Sequence, residues 1–423
     1  MKALRKLGSK SALGLSVRLC LLASVLGSLS ACPAGHEEAS PALASPALSA
    51  TQPEQFVARR PPRPQTSAEK AQVFAQEAKK RFDNPVQHPG LNAYSEIIKL
   101  PAAEHGTTAL YDLYRKKGSQ ALFDAVDGKA GETLQPFIAQ LKEISSLLRY
   151  QYLTVPVEIP KSGPVVFADD SKFIDVLKGV ALAPILEAHS SSQQPGYKPR
   201  TEYPVMTLQF GRKVSFHASC LEHLELGVAM QMEGLSALRK VVKARVLSFQ
   251  EISGLIGLIQ ALDGNDGDFL RVADGEYLIA VHKFRENQGL SKSQLDKELN
   301  GLADRYLKLR PYFEKQGPAP KELGQDGPLL GKEKDLLGSY DRWRAASTGA
   351  SALQVMAALE LYRLEKKSYP EQLSSLLTRY LPRVPLDYFS KDGQFRYKRE
   401  GDGYRLETMT SKIPGHREGI YRW

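Results

Sequence analysis

Apolar residues along this chain recur mostly at intervals of three and four, the period of a helix with one buried face. Leu134, Phe137, Ile138, Leu141, Ile144, Leu147 and Leu148 keep that spacing and predict the clearest helix of the first half. Thr66-Ser67-Ala68-Glu69 has the spacing of a capping box, and Phe74, Ala78 and Phe82 follow at steps of four, predicting a helix to about Phe82. Val165-Val166-Phe167 predicts a short strand, and Phe173 to Leu186 an apolar helix kinked at Pro184, where one backbone hydrogen bond is lost. Between Tyr203 and Phe216 the residues alternate around Gly211, a pattern that predicts a hairpin. Helices are expected next at about Ala218 to Ala244, Phe249 to Leu262, Gly275 to Asn287 and Ser291 to Leu309. The last opens on the capping-box spacing Ser291-Lys292-Ser293-Gln294 and should stop before Pro311.

Gly, Pro and charge then dominate from Gly317 to Gly331, which reads as a linker. Beyond it, Leu336 to Lys366 predicts a long helix with Ala352, Val355, Met356, Leu359 and Tyr362 on one stripe, ended by Tyr369-Pro370. Glu371 to Tyr380 keeps helical spacing, and Pro382 and Pro385 enforce a turn. Phe395 to Arg399 and Tyr404 to Thr408 can pair across the tight turn Gly401-Asp402-Gly403. The expected fold is mainly α: a helical body over 66–314, a linker over 315–331, and a small α+β module over 332–423.

The first thirty-odd residues follow another grammar. Lys2, Arg5, Lys6, Lys10 and Arg18 stand without an acidic residue before the short apolar run Leu19 to Leu29. That is the layout of a signal peptide, and the run is well short of the roughly 20 residues that span a bilayer. Leu29-Ser30-Ala31-Cys32 then places small residues before a cysteine, and this resembles the lipobox of bacterial lipoproteins. The resemblance implies cleavage after residue 31, so that 1–31 is the signal, with acyl chains on Cys32 that hold the protein stably to a membrane. Pro33 stands where an aspartate is the usual inner-membrane retention signal of Gram-negative members. The resemblance therefore implies the outer membrane, facing the periplasm or the cell surface.

Residues 32–65 join that anchor to the body through a Pro-, Ala- and Ser-rich tether, with Ala39-Ser40-Pro41-Ala42-Leu43 nearly repeated at Ala44-Ser45-Pro46-Ala47-Leu48. No core can be built from such a composition, and it is expected to be disordered and extended. The chain has three cysteines. Cys20 would leave with the signal and Cys32 would carry lipid, so Cys220 alone remains and no internal disulfide can form. About 390 residues are ample for a core without one. The formal charge of +10 includes the five leader cations and is spread over mixed-sign helices, which does not point to nucleic acid.

A second resemblance lies in the last quarter. Ala357-Ala358-Leu359-Glu360-Leu361-Tyr362-Arg363, Ser368-Tyr369-Pro370, Tyr380-Leu381-Pro382, Pro385-Leu386-Asp387, Arg396-Tyr397 and Gly401-Asp402-Gly403-Tyr404-Arg405-Leu406 are similar, in order and spacing, to the globular part of type II secretion major pseudopilins. A related module occurs in other bacterial envelope proteins. The resemblance implies a long helix packed on a small antiparallel sheet. The calcium loop of that family does not carry over, because the tail Ser411 to Gly419 lacks most of its carboxylates.

Candidate chemistry is sparse. His217, Cys220 and His223 stand three residues apart and are the zinc-ligand candidates. On a helix the outer pair would diverge by about 120°, and no HExxH or CxxC accompanies them. Asp263, Asn265, Asp268 and Asp274 have some of the spacing of a calcium loop, yet Gly267 and Asp268 reverse the ligand and glycine that such a loop needs at its centre. Ser67-Ala68-Glu69-Lys70 and Lys161-Ser162-Gly163 fit fragments of the penicillin-interacting pattern without the S-D-N that should lie between them. The expected function is a membrane-anchored envelope lipoprotein without a cofactor, acting in scaffolding or with an envelope protein partner. The alternative is a metal-dependent hydrolase built on His217, Cys220 and His223.

Overall fold

A computed structural model describes residues 91–100, 107–127, 141, 143–158, 166–167, 170–192, 201–263, 269–286, 289–314, 331–408 and 420–422, with single positions between 69 and 80. The protein is mainly α, as its periodicity implies. The leader, Cys32 and the tether lie outside the described residues, as do 134–140 of the first-half helix, whose described remainder is helical at Leu141 and from Glu143 to Ser146. Of the helix expected from Thr66, the positions Glu69, Val73, Gln76, Glu77, Ala78 and Lys80 are helical.

Gln65–Trp423 forms one compact unit. Its first part comprises the short helix α1 (Tyr94–Ile97), α2 (Thr107–Lys117), α3 (Ser119–Ala125), the strand pair β1 (Val157–Glu158) and β2 (Val166–Phe167), and α4 (Ser171–Ser192). The two strands pair antiparallel, which places the expected strand at Val166 beside a partner. α4 runs through Pro184, which has no N–H to give to the carbonyl of Val180 one turn earlier. The hydroxyl of Thr207, wholly buried, donates to that carbonyl at 2.8 Å and replaces the missing bond.

Thr207 belongs to α5 (Glu202–Phe216), which corrects the hairpin expected there. The alternation is the superposition of two helical stripes. Met206, Phe210 and Val214 enter the core formed with α4, while Pro204, Leu208, Gly211 and Ser215 lie against α6 (Leu221–Lys243). Pro204 sits in the first turn, where its missing donor is not needed.

The α5–α6 contact is as close as two backbones can come. A Cβ on Gly211 would lie 2.6 Å from the amide nitrogen of Gln231 and 2.7 Å from the carbonyl oxygen of Gly227. One on Gly227 would lie 2.5 Å from the amide nitrogen of Ser215, and one on Gly234 would lie 2.7 Å from the carbonyl of Pro204. Along the seam Gln231 donates to Ser215 Oγ at 2.8 Å, and Ser215 donates to the carbonyl of Arg212 at 3.1 Å.

Around this pair stand α7 (Phe249–Asp263), α8 (Phe269–Glu286), α9 (Lys292–Glu314) and α10 (Gly331–Lys366). Ser248 and Glu251 form a reciprocal capping box at the start of α7, and Ser291 and Gln294 form the expected one at α9. α9 does not stop before Pro311 but runs to Glu314. Phe313 is buried against Phe269 and Tyr340, with ring centroids at 4.7 and 5.1 Å, and the Tyr340 hydroxyl satisfies the carbonyl of Tyr312. That burial outweighs the one bond lost at the proline.

α10 is shared by two cores. Its first half (Leu336, Tyr340, Trp343, Ala346) packs with α8 and α9, and its second half (Ala352 to Leu361) packs with Leu235, Leu238, Ile252 and Ile256. The segment 315–331, expected as a linker between domains, is therefore followed by a helix that completes the core of the body. Glu371 to Tyr380, expected as a helix, holds only the 3₁₀ turn Leu373–Leu376. Thr378 takes φ +67 and reverses the chain, so that Leu376, Tyr380 and Leu381 all return to the core.

Three strands close the chain: β3 (Arg396–Glu400), β4 (Gly403–Glu407) and β5 (Ile420–Arg422), antiparallel in that order. Gly401, at φ +58, opens the two-residue turn between β3 and β4 in the conformation that favours glycine. Tyr404 is wholly buried against Tyr369, with ring centroids 4.9 Å apart. The Tyr369 hydroxyl in turn donates to the buried carboxylate of Glu360 on α10 and accepts from Arg245 at 3.1 Å. The sheet is thus tied to α10 and to the end of α6. The third strand had no sequence signal, lying in a charged tail.

Two measurements test this account. In urea melts, Gly227→Ala should destabilise by about 3 kcal/mol or more through backbone overlap, whereas Gly257→Ala, which meets open space on α7, should stabilise by about 0.5–1 kcal/mol. Thr207→Val should cost about 1–3 kcal/mol by orphaning the Val180 carbonyl, and Pro184→Ala should recover much of that loss in the double variant. Simple additivity of the two changes would show that the hydroxyl does not serve the proline.

Candidate functional site

The candidate cluster of the sequence lies at the α5–α6 turn. α5 ends with His217 at its C-cap, and α6 begins with Cys220 at its N-cap, in extended backbone. Ala218 and Ser219 between them are buried and hold the turn to the core. Outside groups fix it further: Thr154 Oγ1 donates to the carbonyl of His217 at 2.8 Å, and the amide of Leu221 donates to Glu276 Oε1 of α8 at 2.9 Å. A carboxylate at that place also complements the positive end of the α6 dipole.

His223, on the first turn of α6, is buried at 2 % exposure. Its Nε2–H donates to Asp170 Oδ2 at 2.7 Å, and Asp170 is the residue before α4. The thiol of Cys220, one turn back, also acts on the ring, while Nδ1 is buried without an aligned hydrogen-bond partner. Phe173 covers the imidazole edge-on at 6.3 Å. Burial lowers the affinity of His223 for its proton, yet the hydrogen bond to Asp170 and the neighbouring thiol outweigh it and raise the pKa to about 10. The same hydrogen bond, against its own desolvation, lowers Asp170 from its ordinary 3.8. The pair is an imidazolium and a carboxylate across the neutral range.

His217 has the opposite fate. Burial, with the cations Arg271 and Lys213 nearby, lowers it to about 4 and keeps the ring neutral. It stands edge-on to Tyr152 at 4.9 Å and to Phe216 at 4.6 Å. The structure therefore brings Cys220 and His223 together with Asp170 and leaves His217 in an aromatic setting. Among the described residues no group of three or more His, Cys, Asp or Glu side chains is placed to hold a metal ion. Of the calcium-loop candidates, Asp263 closes α7, Asp274 is buried within α8, and Asn265 and Asp268 lie outside the described residues. Asp170 and Glu276 were not legible as partners, since each is more than fifty residues distant in sequence.

Chemically the cluster offers a thiol, an imidazolium that can stabilise its thiolate and a carboxylate that orients the imidazolium. Comparison with protein-family models, with curated proteins and with solved structures finds no match for this chain.

The charges of the pair make stability depend on pH. His223, raised above its ordinary 6.5, contributes fully below pH 6.5 and loses that contribution as pH climbs toward 10. Asp170 loses its contribution only as pH falls below 3.8, and His217 becomes a cost between pH 6.5 and 4. The thermal midpoint should therefore decline between pH 7 and 10, and His223→Gln should flatten that part of the decline. An unchanged profile in a folded His223→Gln would show that the pair is not charged.

Proposed function

We propose that this chain is a lipid-anchored envelope protein whose helical body acts by holding or presenting a partner protein, with no cofactor. The observation that carries the reading is the sequence Leu29-Ser30-Ala31-Cys32 at the end of a basic and then apolar leader. Among the described residues no helix is long and apolar enough to cross a membrane. We assign membrane attachment to acyl chains on Cys32 on the strength of the lipobox resemblance alone. The outer membrane, with the body facing the periplasm or the cell surface, follows from Pro33 in place of a retention aspartate.

The long helix followed by an antiparallel sheet supports the pseudopilin-like reading of the last quarter as a local fold. The hydrolase alternative draws no support from His217, whose ring stands with Tyr152 and Phe216.

Intact mass of the protein extracted from membranes tests the anchor. It should show loss of residues 1–31 and a gain of acyl chains on Cys32, and Cys32→Ser should abolish both the gain and membrane retention. A mature protein with an unmodified Cys32, or one retained in the membrane after Cys32→Ser, would overturn the reading. Stoichiometric zinc in protein purified without chelators would overturn its non-catalytic part.

A further inference from the structure

We propose that Cys220 is a reactive thiol that undergoes exchange with disulfides, with the His223 ring stabilising its thiolate and Asp170 as the positioning residue of that ring. The inference does not rest on the lipid anchor. It rests on the arrangement of three side chains from two parts of the chain around one sulfur.

Cys220 is the N-cap of α6, a helix of 23 residues, so its sulfur stands at the positive end of a long dipole. It is half-buried, neither sealed in the core nor fully open. The imidazole of His223, one turn along, is fixed from behind by the 2.7 Å bond between Nε2 and Asp170. That bond takes up Nε2 and leaves Nδ1, buried and without an aligned protein partner, on a ring on which the Cys220 thiol acts. Ser219 Oγ, also buried and without a hydrogen-bond partner, adjoins the cysteine in the chain. A buried nitrogen and a buried hydroxyl left unsatisfied next to a half-buried cysteine mark a place where a further group is expected.

The charged groups around the sulfur narrow the chemistry. His223 and Asp170 stand on one side, and Glu276 of α8 occupies the amide of Leu221 on the other. His217, with Lys213 and Arg271 acting on it, closes the turn. In acyl transfer the amide of the residue after the cysteine would be wanted for the oxyanion of a tetrahedral intermediate. Here a carboxylate already holds it. Disulfide exchange develops charge on sulfur alone, and an imidazolium beside the sulfur stabilises that charge.

The step balances without a further reagent. The thiol gives its proton to solvent and the thiolate is held by the charge of the His223 imidazolium, whose Nε2–H stays on Asp170. The sulfur attacks one sulfur of a disulfide R–S–S–R, a new S–S bond forms to Cys220, and the old one breaks. The departing thiolate takes a proton from solvent, equal to the one released from Cys220, and leaves as R–SH. The substrate class is therefore a disulfide small or exposed enough to reach a half-buried sulfur.

Full-length protein, purified from whichever fraction holds it, is incubated with oxidised glutathione at pH 6, and peptide mapping quantifies glutathionyl on Cys220. The folded chain should react at least about tenfold faster than the same chain unfolded in urea. His223→Gln should bring the folded rate down to the unfolded one, and Asp170→Asn should lower it several-fold while shifting its pH profile. Equal rates for folded and unfolded wild type, or an undiminished rate in a folded His223→Gln, would overturn the proposal. Should either variant fail to fold, the wild-type comparison at pH 6 still decides. Reaction at Cys220 is read independently of Cys32, so failure of the anchor reading would not be mistaken for failure here.

Discussion

The backbone contact between α5 and α6 is the constraint on which the rest of the protein depends. Gly211, Gly227 and Gly234 remove the Cβ atoms that would otherwise hold the two helices apart, and at each the nearest neighbour is backbone that cannot swing away. Two consequences follow from so short a distance. The antiparallel pair can be joined by the short turn from His217 to Cys220, and little side-chain volume is left between the helices. Their apolar side chains are therefore turned outward, to other partners.

That outward turn explains why α6 enters every core. Leu226 and Met230 pack with α4 and the first-half elements, Leu224 and Val228 with α8 and α9, and Leu235, Leu238, Val241 and Val242 with α7 and the second half of α10. A helix buried on nearly all sides needs a polar device wherever it carries a polar residue. Gln231 meets Ser215 inside the seam, and Arg212 of α5 donates to the terminal carbonyl of Leu262 at 2.9 Å, where α7 has no donor of its own. The final sheet is added to this hub through Arg245 at the end of α6, which reaches Tyr369 and through it Glu360.

Helices such as α7 and α9 were legible because one face of each meets solvent, which keeps the 3.6 period that half-burial writes into a sequence. The failures were where burial is not one-sided. α5 has two buried stripes, and Met206, Leu208, Phe210 and Val214 then fall at even positions and imitate a strand. α9 continues past Pro311 because Phe313 has an aromatic pocket waiting on α8 and α10, a fact of tertiary structure that no local rule contains. The expected helix from Glu371 fails for a related reason. Leu376, Tyr380 and Leu381 all pack inward, which a left-handed Thr378 permits and a regular helix would not.

The same limit governs the site. His217 and His223 are six residues apart, both are withdrawn from water, and burial alone would leave each imidazole neutral. What separates them is their neighbours: two cations act on His217, while His223 has one carboxylate within hydrogen-bonding distance. That carboxylate, Asp170, reaches the ring only because α4 packs across α6, and α4 can lie there unbroken because Thr207 of α5 supplies the bond that Pro184 lacks. The charge on the His223 ring is in this sense set by the close seam: glycines draw α5 onto α6, α5 steadies α4, and α4 delivers the aspartate. Local spacing could nominate a cysteine and two histidines, but only the packing of three helices decides which histidine serves the thiol.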